Sequence, residues 1–392
     1  MPVDQDRQRT AQARRRLIIS SLSANFSTDD LFSPVSRLRG AIADGVPRTL
    51  VVNSDVDGLT AAMMLASVTN WRIGVLVDKS GYRIAPGPSL NEQLDDTEFG
   101  RTLLFGVDVY STRFPNVSNH PVFFGPNPNG NARLRDLLVP FDKDVASASS
   151  VNGAINASEW AGIGAMRNSG VANGMPYKYP LGTAQLMLAA LEGAGHAPKF
   201  FDRQYLPWLV ANCDGGLDTI RDYAWNVEMW WSALAAVVGP ASLSEHIYRI
   251  ATTQRPSEFL DADRRLRYDE PNRSTALDTN WNLVNDSPST ISTFVSMVMD
   301  WTGWPDPFAD GHESVQLWEQ IHPTRSILKT SGMTLKSDDE IRSHLDAARS
   351  AIHMGFSSFD NAIRLGWSLA DSDAVTEAQI PDTLPTTEPL WD

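Results

Sequence analysis

Hydrophobic positions along the chain follow two regimes that change near residue 239. In the first, short apolar runs rich in Val, Ile, Leu and Phe recur at residues 49–54, 73–78, 102–108 and 121–125. Runs without alternation suit strands buried on both faces of a parallel sheet. Between the first two, residues 59–68 are good helix formers, which predicts a helical crossover. Three runs end at Asp55, Asp78 and Asp108. In open α/β sheets the ligand site lies beyond the carboxyl ends of the strands, so these aspartates are expected to gather there.

The remaining pattern is helical. Residues 1–45 read as a lead-in, with a helix from Arg9 to Leu22 and Ser27-Thr-Asp-Asp30 as the cap of a second. After a loop-rich stretch at 125–158, a helix is expected from Gly182-Thr183 to Gly193–Gly195, and another over 205–211. Asn212-Cys-Asp-Gly-Gly216 forms a second acidic turn, and the helix over 220–238 carries Trp225, Trp230 and Trp231, as core or as an interdomain seam. Beyond Gly239 the chain is more polar: 255–287 reads as irregular, and 289–304 and 338–369 as amphipathic helices. Residues 371–392, acidic and with Pro381, Pro385 and Pro389, read as a mobile tail. The expected architecture is α/β: a mostly parallel sheet with helices on both faces, followed by a mainly helical C-terminal region. The expected boundaries are 1–45, 46–238, 239–370 and 371–392.

Charge narrows the function. A net charge of −14 argues against sequence-independent binding of long duplex DNA, which draws its affinity from neutralising phosphates. A short anionic substrate held at bound cations stays compatible, because a local field can oppose the net charge. The basic islands Arg14-Arg15-Arg16 and Arg264-Arg265-Leu-Arg267 read as solvated helix faces. One cysteine, Cys213, excludes an internal disulfide and reads as a lone buried thiol. With no secretory pattern at the start and no apolar run near the roughly 18 residues that span a bilayer, the expectation is a cytoplasmic protein without a membrane partner.

The candidate chemistry centres on Asp55-Val-Asp57-Gly58. Alternation puts both carboxylates on one side of an extended turn, where they repel unless a cation sits between them. An EF-hand is excluded, because the third oxygen residue and the closing glutamate are missing. Asp78 reads either as a phosphate-proximal acid or as a surface strand end. Gly182-Thr183 offers backbone N–H groups to a phosphate or merely caps its helix. His196 reads as a helix cap, and His246, His312, His322, His344 and His353 lack ligand spacing.

Asp55-Val-Asp57-Gly-Leu-Thr-Ala-Ala resembles the first motif of the DHH phosphoesterase superfamily. Gly106-Val-Asp108 resembles its second, Ser118-Asn119-His120 its third, and Asp214 falls where a fourth-motif aspartate is expected. The resemblance spans about residues 45–235. It implies two divalent cations, manganese or magnesium, and hydrolysis of a phosphodiester in a short single-stranded nucleic acid or small nucleotide. Asp55 would serve one metal and Asp57 the other, with Asp108 as the bridge and Asp214 completing the second site. His120 would ligate the second metal or stabilise developing negative charge. The chain departs from the family pattern at Val51, where a histidine is frequent, and at Ser118 and Asn119, where an aspartate and a histidine are usual. The second expectation is therefore a degenerate DHH-like scaffold, a homo-oligomer or a subunit of a larger complex. The third is a phosphatase similar to the haloacid-dehalogenase fold, with Asp55 as nucleophile and Asp57 as acid/base. Leu59 and immediate helix formers stand where that fold has a threonine and a flap, and Lys143 lies in a loop-like setting between Asp142 and Asp144.

Overall fold

The computed structural model describes residues 5–25, 34–78, 81–86, 103–111, 113–119, 136–137, 140–141, 155–156, 180–199, 205–215, 222–239, 241–253, 261, 264–265, 273–321, 325–331, 337–349, 353–359 and 362–368 of the 392-residue chain. The run at 121–125, His120, the cap at 27–30, Lys143 and the tail at 371–392 lie outside the described residues.

Helices α1 (Gln5–Asn25) and α2 (Pro34–Ala43) precede strand β1 (Thr49–Asn53), helix α3 (Val56–Val68), β2 (Arg72–Val77) and β3 (Tyr82–Ile84). Strands β4 (Leu104–Val107), β5 (Asn116–Ser118) and β6 (Ile155–Asn156) follow, then helices α4 (Thr183–Ala194) and α5 (Tyr205–Asn212), which runs into a single 3₁₀ turn, Cys213–Gly215. Next come α6 (Ala224–Val238), α7 (Leu243–Thr253), the short α8 (Arg273–Ala276), α9 (Pro288–Thr302) and a second 3₁₀ segment, His312–Leu317. The last elements are β7 (Glu319–Ile321), β8 (Arg325–Ser331), α10 (Asp338–Arg349), β9 (His353–Phe359) and β10 (Ala362–Ser368).

The main sheet has the order β6-β5-β4-β1-β2-β3-β7. Pairing is parallel from β6 through β2 and antiparallel at β2–β3 and β3–β7, so the sheet is mixed and mostly parallel. From β1 the chain crosses through α3 to β2 on one side, and later returns to β4 on the other. The strand order therefore reverses between β1 and β4, the place where such sheets form a crevice. Both faces of β1 are buried, as its apolar run predicts. Leu50 and Val52 pack with residues of α3, α4 and α5, whereas Val51 packs with Val75, Leu104, Tyr82, Val109 and Phe114. Among the described residues, the second face is thus lined by strand and loop residues and not by the helices expected there.

Other expectations are revised. The strand beside β4 is β5, Asn116-Val117-Ser118, a three-residue strand with a single apolar residue. Its start is fixed by Asn116, whose buried amide donates to the carbonyls of Ser111 at 2.8 Å and Phe114 at 2.9 Å. Helix α10 stops at Arg349, and 353–368 is an antiparallel pair inside the three-stranded sheet β8-β10-β9, not the continuation of a helix. The C-terminal region is therefore mixed, and its sequence explains why. In Ile363-Arg-Leu-Gly-Trp367 apolar residues alternate with period two, and Phe359 pairs with Ala362 across a two-residue connection.

Two charged features also differ from expectation. Of the first basic island, Arg15 is buried and ion-paired with Glu245 while lying over the Tyr248 ring, and Arg14 is paired with Glu228. The island is an inter-helix clamp joining α1 to α6 and α7, and burial there pushes the Tyr248 phenol up to about 12. In the second island Arg264 is exposed and pairs with Asp261, as a solvated face would. Asp78 is buried rather than at the surface; it accepts the Gly81 N–H at 2.7 Å and lies 3.4 Å from Arg83, holding the β2–β3 turn. Trp230 and Trp231 belong to the core. No described helix is long and apolar enough to cross a membrane.

Candidate functional site

Three neighbouring strands, β1, β4 and β5, end in the crevice and are followed there by Asp55, Asp108 and Asn119. The β1–β4 register places Val52 opposite Val107, so Asn53 and Asp108 come side by side. The Asn53 amide donates to Asp108 Oδ2 at 2.9 Å and to Asp55 Oδ2 at 2.8 Å, tying the two strand ends together. The other oxygen of Asp55 accepts the Gly58 N–H at 2.8 Å and caps α3, which is why the helix starts directly after the acidic pair. Gly58 is required by contact: a Cβ there would lie 2.2 Å from the Asn53 carbonyl oxygen.

Asp57 does something the sequence did not suggest. Its side chain reaches across to the start of α4, where the N–H groups of Thr183 and Ala184 donate to its two oxygens at 2.6 and 2.7 Å. The N-cap residue of α4, Gly182, has no side chain to do this, and a Cβ on it would lie 2.6 Å from Asp57 Oδ1. A carboxylate thus caps a helix 126 residues away, with favourable charge at the positive end of the helix dipole. Thr183 completes the link: its hydroxyl donates to Asp108 Oδ1 at 2.5 Å and accepts the Asn119 N–H at 3.0 Å. The Asn119 amide donates in turn to Asp214 Oδ2 at 2.9 Å and to the Leu181 carbonyl at 3.3 Å.

Asp108 and Asp214 both sit in the left-handed region, at φ 56° and 54°. Among the described residues only Trp281 joins them as a non-glycine residue with positive φ. Aspartate tolerates this conformation at about 1 kcal/mol or more, and such strain concentrates at functional sites. Asp57 and Asp108 are buried, while Asp55 and Asp214 face solvent, so the cluster opens on their side. Burial, and then the negative charges of Asp214 and Asp55, hold the Asp57 carboxyl well above the usual carboxylate range, against the pull of the two N–H groups. Asp108 is raised in the same way by burial and by Asp55 and Asp57. Cys213, beside Asp214, is buried as expected, with its thiol pushed up by burial and by Asp57.

Of the residues singled out from sequence, Asp55, Asp57, Asp108 and Asp214 are brought together, and His120 lies outside the described residues. The C-cap of α4 is Gly195 rather than His196, which follows it and donates its backbone N–H to the Leu191 carbonyl at 2.8 Å. Asn53, Thr183, Ala184 and Gly182 complete the network. Thr183 carried a sequence signal, the helix start at Gly182-Thr183, but the carboxylate on that helix end had none. Among the described residues, no three His, Cys, Asp or Glu side chains stand as a ready-made metal-ligating group. One polar atom in the network is left over: Asn119 Oδ1 is buried and has no hydrogen-bond partner.

No family model, curated protein or solved structure matches this chain. Any functional reading rests on the network itself.

Proposed function

We propose that the protein is a DHH-like, divalent-metal-dependent phosphoesterase acting on a phosphodiester in a short single-stranded nucleic acid or a small nucleotide. One observation carries the reading: Asp55, Asp57, Asp108 and Asp214, from segments far apart in sequence, converge where the strand order reverses. Carboxylates packed together and partly buried need positive charge or protons to stay there. The residues present fit a hard divalent cation, manganese or magnesium. Their free capacity is oxygen, and Asn119 Oδ1 is a buried acceptor with nothing donating to it. Such a cation supplies Lewis acidity to a phosphate oxygen and lowers the pKa of water.

In this reading Asp55, Asp108 and Asp214 hold the cation. Asp57 contributes negative potential and fixes the start of α4, accepting two N–H groups of that helix's first turn. Asn53 and Thr183 orient Asp108, one on each oxygen, and limit its rotation. Asp55 and Asp214, on the open side, border the approach of a phosphate. A haloacid-dehalogenase-like mechanism fits less well, because it needs Asp57 to exchange a proton with substrate and both its oxygens are engaged in the protein.

A second reading, a non-catalytic scaffold serving as a homo-oligomer or complex subunit, is favoured by a specific feature. Asn53, Thr183 and Ala184 satisfy every oxygen of Asp57 and Asp108 without a cation. The two readings separate in one experiment: hydrolysis of bis(p-nitrophenyl) phosphate and of short oligonucleotides with manganese, by the wild type and by Asp108→Asn. The enzyme reading expects a loss of about 10²–10³-fold in the variant. Equal background rates for both would leave the scaffold reading.

A further inference from the structure

We propose that the three-stranded sheet β8-β10-β9 carries a basic face, and that the occupant of this face is the chain's own acidic segment, residues 371–392. The proposal stands apart from the crevice at β1, β4 and β5 and does not depend on the metal-centre reading.

Successive residues of a strand alternate between the two faces of its sheet, and the register decides which positions share a face. On the central strand β10, Arg364 lies opposite Lys329 of β8 and Ser357 of β9, and Ser368 lies opposite Arg325 and His353. Arg325, Lys329, Arg364 and His353 therefore share one face. The other face takes Leu328, Met354, Phe356, Ile363, Leu365 and Trp367. Helix α10 packs against β8 and β10, and its Ile341, Leu345 and Ala348 are buried. An apolar helix stripe matches the apolar face, whereas charges covered by it would be desolvated without recompense. The basic face is then the one turned away from α10.

No position in β8, β9 or β10 is Asp or Glu, in a chain with 47 acidic residues and a net charge of −14. Arg364 and Lys329 are direct cross-strand neighbours, and like charges so placed repel. That pairing disfavours the sheet unless an anion lies across it. Residues 371–392 supply one: Asp371, Asp373, Glu377, Asp382, Glu388 and Asp392 stand there with no Lys, Arg or His among them. The segment begins three residues after Ser368, the end of β10. From Ser368, Arg364 lies about 13 Å back along the strand. Residues 369–377 can extend over about 30 Å, which leaves chain for a reversal that sets Glu377 by Arg364 and Lys329 and keeps Asp371 by Arg325. A segment tethered so closely acts at an effective concentration of about a millimolar, with no encounter between molecules.

The test couples carboxylates to neighbouring lysine amines in the full chain with a carbodiimide and reads the linked peptides by mass spectrometry. At low salt, Lys329 is expected to link to Asp371, Asp373 or Glu377 about 10-fold more than the exposed Lys199 does. In a mixture with isotope-labelled chains, the link is expected within one chain. Salt at about 1 M, and Arg364→Gln with its fold checked by circular dichroism, are each expected to lower the yield about threefold or more. The proposal is overturned if Lys329 links no more than Lys199, if the link joins two chains, or if the yield stays within about twofold under salt and in Arg364→Gln. It is also overturned if no such link forms and a short oligothymidylate binds the wild type but not Arg364→Gln, which would assign the face to single-stranded nucleic acid. Should Arg364→Gln fail to fold, the Lys329-to-Lys199 ratio and the salt arm decide.

Discussion

Two of the charge clusters among the described residues are built on opposite rules. Where α1 meets α6 and α7, every acid has a base: Arg14 faces Glu228, and Arg15 faces Glu245 and lies over Tyr248. At the ends of β1, β4 and β5 the charged groups acting on Asp57 and Asp108 are other carboxylates, relieved only by N–H and O–H donors. A paired cluster stabilises a helix interface and is complete as it stands. A cluster of like charge raises the free energy of the folded chain, and that imbalance is what a cation would remove.

The comparison breaks first if the clamp is cut. Arg15→Met leaves Glu245 without its buried partner and is expected to destabilise by about 3 kcal/mol in urea unfolding, with phosphodiester hydrolysis per folded molecule unchanged. Next in size is Gly182→Ala. The new Cβ meets the Asp57 carboxylate and forces it off the start of α4, at a cost of about 2 kcal/mol by the same measurement. Here hydrolysis falls as well.

A pH series on the metal-free protein sharpens the contrast. Asp57 and Asp108 are raised above their ordinary value near 3.8 in the folded state, so the folded chain binds more protons than the unfolded one. Their contribution to stability is fully present below that value and is lost as pH rises through the folded values. The melting temperature of wild type, relative to Asp108→Asn, is therefore expected to fall as pH is raised from about 4 toward neutrality. Saturating magnesium should flatten that difference. A difference independent of pH would mean that Asp108 carries no raised pKa. The smallest effect is assigned to Asp78→Asn, which weakens the hold on Gly81 and Arg83 by about 1 kcal/mol and leaves cation binding untouched.

Much of the crevice was legible in the sequence, and the reasons are local. An apolar run ending in Asp55-Val-Asp57-Gly58 encodes a strand end, a capped helix and the absence of a loop between them. The acidic turn at Asp214 announced itself by likeness to the first. What stayed hidden are the contacts that depend on tertiary geometry: Asp57 on the end of α4, Thr183 between Asp108 and Asn119, and Asn53 bridging two strand ends. No local pattern specifies a cap supplied from 126 residues away. Asn119 was legible only as a departure from an expected ligand, and its place between Thr183 and Asp214 gives it a positive role. In the C-terminal region the helical period of α10 does not continue past Arg349; the alternation from Ile363 to Trp367 is the signal of the strand. The first basic island could not be distinguished from a solvated face, because Glu228 and Glu245 lie more than 200 residues from their arginines.

The most direct test of the acidic cluster is calorimetric titration of the metal-free protein with manganese at neutral pH, in wild type and in Asp108→Asn. The account predicts saturable binding to the wild type, accompanied by a rise in melting temperature, and loss of both in the variant. Binding that is absent from wild type, or that survives unchanged in Asp108→Asn, would contradict it.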